Sequence, residues 1–197
     1  MKPLYAIAFG LVLVAIGPTD ADPGIFDPLP DPLGWLFILI GLHGLADSLG
    51  SGRVGILRFL GAAALVISSA LVVPAVARWI ATDPSLGWSA DVPRFAFFAV
   101  LSYELSAAAV RQKATIAAAG FNLAALALLF VLVAPPVAFG GGADAVGTAG
   151  EVAAEAVQIV LVILFLAYGS REWAGAPPLE PAEPADTDPA RPEPDES

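Results

Sequence analysis

The chain contains no cysteine and a single histidine, His43. Disulfides, thiolate metal sites and a cysteine nucleophile are thereby excluded, and a zinc or haem centre built on histidines has no ligand set. Charge is scarce as well: only 14% of the 197 residues are charged, and nine of these are basic. Neutralising phosphates takes clustered Lys and Arg, so a formal charge of −10 argues against a nucleic-acid partner. The sequence holds no HExxH, no GxSxG elbow and no P-loop. With no motif for catalysis, the reading is that of a protein that is not an enzyme and takes no metal or cofactor.

What the chain has in excess is apolar side chain. At 57% hydrophobic it exceeds what a water-soluble core of this size needs, which points to the lipid bilayer as its solvent. A helix crosses the hydrocarbon layer with roughly 20 apolar residues. About six segments approach that length, near residues 3–17, 33–49, 54–80, 93–110, 114–139 and 150–168, separated by Gly, Pro, Asp and Ser clusters of the kind that end helices. The expected fold is therefore an all-α, multi-pass membrane helical bundle over residues 1–173. Asp91 before Pro93 has the form of an N-cap followed by a tolerated first-turn proline, and Thr148 with Glu151 has capping-box spacing. Pro74 and the pair Pro135–Pro136 fall near predicted span ends, where a freed carbonyl can find water or a neighbouring helix.

Orientation follows from the bases. With the N-terminus inside and an even number of spans, Lys2, Arg53, Arg58, Arg111, Lys113, Arg171 and Arg191 face the cytoplasm and only Arg78 and Arg94 face out. That bias predicts a cell-membrane protein with both termini cytoplasmic. Trp35, Trp79 and Trp88 are expected as interfacial anchors on the outer side and Trp173 on the inner. A competing reading makes the first segment a cleaved signal peptide, with small residues near Thr19–Ala21, but its positive region is a single Lys, and Pro18 and Asp20 precede a cut at Ala21.

The tail from Ala174 is different material. It carries seven acids against Arg191 alone, interleaved with seven prolines, and it cannot bury enough apolar surface to offset its ordering entropy. It is expected to be disordered and cytoplasmic, either a solvated tail or a docking segment for a cytoplasmic protein.

Ionisable groups at membrane depth are functional candidates by default. Glu104 falls near the middle of the fourth predicted span, in Ser102–Tyr103–Glu104–Leu105–Ser106. A proton or cation relay would gather Glu104 with Tyr103, His43, Ser68 and Asn122 around one hydrated cavity; a purely structural set would scatter them into separate interhelical hydrogen bonds. On the sixth span Glu151, Glu155 and Gln158 share a face. Glu155 needs a cation, and Arg78 or Arg94 is the expected partner. The run Gly50–Ser51–Gly52–Arg53–Val54–Gly55 matches GxGxxG but follows a membrane helix rather than a strand, so Gly52 and Arg53 read as a seat for a lipid phosphate instead of a dinucleotide. The outer acids Asp20, Asp22, Asp27 and Asp31 lack calcium-loop spacing. Two functions remain: a non-catalytic assembly or interaction subunit working with another membrane subunit, or a small transporter or channel component moving protons or cations past Glu104.

Overall fold

The structure is a computed structural model that describes residues 2–15, 31–49 and 51–177. Every regular element among them is helical: α1 (Pro3–Ala15), α2 (Asp31–Leu45), α3 (Ser51–Leu71), α4 (Pro74–Ile80), α5 (Pro84–Arg111), α6 (Thr115–Gly141) and α7 (Asp144–Tyr168), then a 3-10 turn at Glu172–Ala174. Three segments are long and apolar enough to cross a membrane: Arg53–Leu71, Thr115–Gly141 and Asp144–Tyr168. The apolar helices α1 and α2 are shorter. Asp20, Asp22, Asp27 and residues 178–197 of the acidic tail lie outside the described residues.

Several boundaries differ from those the sequence suggests, each for a local reason. The expected span 54–80 is divided, because Pro74 cannot continue α3 and instead takes the first turn of α4, where a missing N–H costs nothing. The expected start at Asp91–Pro93 is preceded by the same grammar at Asp83–Pro84. The Asp83 carboxylate accepts from the Ser85 amide at 2.8 Å and from its hydroxyl at 2.7 Å, and Pro93 is carried inside the helix. Both bonds hold the Asp83 carboxyl below the usual carboxylate range. α7 begins at Asp144, so Thr148 is not a cap. Its hydroxyl donates back to the Asp144 carbonyl at 3.3 Å, inside the helix. Ala174 and Ala176, expected in the solvated tail, are buried against the body.

In contact order the helices close a ring. α1 packs on α2, α2 on α3, α3 on α5, α5 on α6, α6 on α7, and α7 returns to α1. The α1–α2 seam is backbone against backbone. A Cβ added to Gly41 would meet the Pro3 carbonyl oxygen at 2.7 Å and Ile7 at 2.6 Å, and one added to Gly34 would meet the Gly10 carbonyl at 2.7 Å. Without a hydrophobic drive between helices in lipid, such close approach is where packing energy comes from. α6 ends on Gly142 at φ +64°, a left-handed cap that favours glycine.

The interior of the ring is filled by rings. Trp35 of α2 meets Phe97 edge to face at 5.5 Å, Phe97 meets Phe98 at 5.1 Å, Phe98 meets Phe165 of α7 at 6.5 Å, and Phe165 stacks on Phe121 of α6 at 6.1 Å. All five are almost fully buried. Trp35 is thus a core residue rather than the interfacial anchor its sequence position suggests, because α2 turns it inward onto α5. Trp79 is exposed as expected of an anchor. Trp88 does something more specific: its indole N–H donates to the Leu132 carbonyl at 3.1 Å. Leu132 is four residues before Pro136, so its carbonyl is the one that Pro136, lacking an N–H, leaves without its helical donor.

Candidate functional site

The polar centre of the molecule lies where the start of α3 meets the second half of α5. At about 1.5 Å per residue the 28 residues of α5 reach about 42 Å, and Glu104 stands about 10 Å from the C-terminal end. The early start of α5 lengthens the helix at the end away from Arg111, so Glu104 lies in its second half rather than at its middle. α3 runs antiparallel from the Arg111 end, which brings Arg53, near its first turn, to the depth of Glu104.

The two side chains form an ion pair, Arg53 Nη1 donating to Glu104 Oε1. The carboxylate is buried, with its side chain 8% exposed, while the Arg53 side chain is half exposed. Tyr103, next along α5, lays its ring under the guanidinium with 4.9 Å from Cζ to the ring centroid. Two consecutive residues of α5 thus hold one arginine, Glu104 by charge and Tyr103 by its π face. The burial cost of the carboxylate is met by a specific cation, and the guanidinium keeps one side open to the surroundings.

Of the proposed relay set, only Tyr103 and Glu104 are brought together. Ser68 is buried about 22 Å further along α3 than Arg53. His43 on α2 and Asn122 on α6 are both exposed. Among the described residues no hydrogen bond joins His43, Ser68 or Asn122 to Glu104, and the nearby Ser106 donates instead to the Ala118 carbonyl of α6 at 2.9 Å. The Ser102 hydroxyl is fully buried and has no hydrogen-bond partner among the described residues. Arg53, which with Gly52 forms the expected lipid-phosphate seat, is engaged by Glu104 and Tyr103 and half exposed; Gly50 of that motif lies outside the described residues.

The acids of α7 stand in contrast. Glu151 and Glu155 are both exposed, and neither Arg78 nor Arg94 reaches Glu155. Arg78 is exposed on α4, while Arg94 lies 3.9 Å from Asp91 and 4.9 Å over the ring of Phe95. Because α7 starts at Asp144, Glu155 is about 16 Å from one helix end and about 20 Å from the other. The side chains around it on the outward face, Val152 and Ile159, are more than 60% exposed.

Sequence reasoning singled out Arg53 and Glu104 but for unrelated roles. The signal that joins them is depth. An arginine in the first turn of one helix and an acid two turns from the end of an antiparallel neighbour lie at the same level, within reach of a long side chain. Among the described residues no cluster of His, Asp and Glu has the form of a metal site. Comparison with known proteins finds no matching family model, no matching curated protein and no matching solved structure, so function is argued from this geometry.

Proposed function

We propose that the chain is a non-catalytic assembly subunit of the cell membrane, crossing it about six times with both termini cytoplasmic, and that the outer face of α7 receives a helix of another membrane subunit. One observation carries this reading: Glu155 is exposed near the middle of a helix long and apolar enough to span the bilayer, with no ion pair to a cation among the described residues. A hydrocarbon layer of about 30 Å laid anywhere along the roughly 37 Å of α7 includes Glu155. A carboxyl there is costly against lipid and is relieved by a partner helix that brings a base or a hydrogen-bond donor to that depth.

The test is a photo-crosslinking residue at Val152 in intact membranes. Adducts with a second polypeptide, lost in Glu155→Lys, are expected; adducts with lipid alone would sink the reading. Transport through Glu104 has less behind it, because the acid is neutralised by Arg53 and the ring interior is packed with Trp35, Phe97, Phe98, Phe121 and Phe165. Proteoliposome flux of protons and cations should stay at background for the parent and for Glu104→Gln alike. A cysteine placed at Lys113, in a chain with none of its own, reports orientation by its reaction with an impermeant thiol reagent.

A further inference from the structure

At the end of the bundle where α2, α5 and α7 finish, a cleft of about 240 Å³ opens between the turn after α2, the last turn of α5 and the 3-10 turn after α7. Ser48, Ala108, Arg111, Gln112, Glu172 and Trp173 line it. Three features make it more than a surface dip. Arg111 and Glu172, of opposite charge, both face it yet form no ion pair with each other. Trp173 is fixed by its neighbours, edge to face on Phe121 at 6.2 Å and tilted on Tyr168 at 5.8 Å, so its ring is a rigid wall. The turn that presents Glu172 and Trp173 is itself anchored, with Ala174 fully buried and Gly175 at φ +79° carrying the chain under Gly44 and Pro3.

From this arrangement we infer that the cleft binds a small zwitterion with a phosphate and a primary ammonium, the chemistry shared by a phosphatidylethanolamine headgroup and free phosphoethanolamine. The volume equals that of about eight waters, enough for such a group. Arg111 offers a planar fork of donors matched to phosphate oxygens. Glu172 accepts from the ammonium N–H groups, and the Trp173 ring attracts the same cation. A quaternary ammonium retains the attraction to the ring but has no N–H for Glu172, and an uncharged glycerol headgroup has neither, so the site discriminates by chemistry rather than by net charge. Its position among helix ends, beside aromatic side chains, is where a lipid headgroup lies.

The experiment is native mass spectrometry of the full chain released from vesicles containing equal amounts of phosphatidylethanolamine, phosphatidylcholine and phosphatidylglycerol, with free phosphoethanolamine as a separate arm. Retention of phosphatidylethanolamine about tenfold above the other two is expected, a difference on the scale of one charge-assisted bond. Glu172→Gln should abolish the preference over phosphatidylcholine and weaken that over phosphatidylglycerol, which the Trp173 ring still sustains, and Arg111→Gln should reduce retention of all three lipids. Both side chains are exposed, so unchanged helicity and Tm show that each variant still folds. Displacement by free phosphoethanolamine, with the lipid retained in its absence, identifies the lipid as the source; retention of the free compound without the lipid identifies the soluble one. Preference for phosphatidylglycerol, equal retention of all three lipids with no binding of the free compound, or retention unmoved by both substitutions overturns the inference.

Discussion

Glu104 and Glu155 both sit well inside long helices of the bundle, yet their surroundings are opposite. Glu104 is turned inward, buried between α3 and α5, and met by Arg53 on one side with Tyr103 alongside. Glu155 is turned outward on α7 among exposed Val152 and Ile159, and no base among the described residues pairs with it. A buried charge with its partner in the same chain belongs to folding: its energy is settled when α3 docks on α5. An outward charge at the middle of a membrane-length helix is left unsettled by folding and is relieved by something else. The α3–α5 seam is thus closed chemistry, and the α7 face is open chemistry.

An uncharged seam sets the upper mark against which these acids are judged. Gly41→Leu forces a branched side chain where a Cβ already meets the Pro3 carbonyl at 2.7 Å, and it should cost about 3 kcal/mol in unfolding titrations, parting α1 from α2. Glu104→Leu comes next. It strands Arg53 beside an apolar side chain, so Tm in detergent should fall by more than the loss of any single neutral hydrogen bond, and exchanging the charges with Arg53→Glu and Glu104→Arg together should recover part of the loss; full additivity of the two changes would show that the pair is not coupled. Trp88→Phe supplies the neutral yardstick on the same helix, removing the donor to the Leu132 carbonyl for about 1 kcal/mol.

Smaller still is the acid at the start of α5. The Asp83 carboxyl is held below its ordinary range by Ser85, so its contribution is present above the unfolded carboxylate pKa and is lost as pH falls through the lowered value. Below about pH 4 the parent should therefore lose an increment of thermal stability that Asp83→Asn does not lose. The smallest effect is expected at Glu155→Leu. On the isolated chain it should leave stability within about 0.5 kcal/mol of the parent, or raise it, because no ion pair among the described residues is lost. A fall as large as that of Glu104→Leu would erase the distinction between the two acids.

Much of the fold was legible from residues alone. Apolar runs and their punctuation place helices at Pro3–Ala15, Asp31–Leu45 and Thr115–Gly141 within a few residues, together with the start of Ser51–Leu71 and the end of Asp144–Tyr168, because a membrane-length run of Leu, Val, Ala and Phe has few alternatives to a helix. Starts were less legible. Asp83–Pro84 and Asp91–Pro93 carry the same local signal, and which of them opens α5 depends on whether Pro93 is tolerated within a packed helix, which is not a local property. That boundary and the early start of α7 at Asp144 changed where both acids stand along their helices. The first leaves Glu104 in the second half of a longer α5, and the second sets Glu155 near the middle of α7.

The sequence by itself determined that this chain is helical and lipid-compatible, that its charges are few, and that Glu104, Glu155, Arg53 and Trp173 are among the residues whose surroundings matter. Composition and periodicity act through local backbone preferences and transfer energies, which a residue carries with it. Tertiary structure alone decided which charges meet, that Trp35 turns inward to the aromatic core, that Trp88 satisfies the carbonyl freed by Pro136, and that Arg111 and Glu172 face one cleft. Those outcomes depend on the rotation and depth of one helix against another. Close packing of glycines and rings fixes both, and a single chain's residue order does not encode them locally.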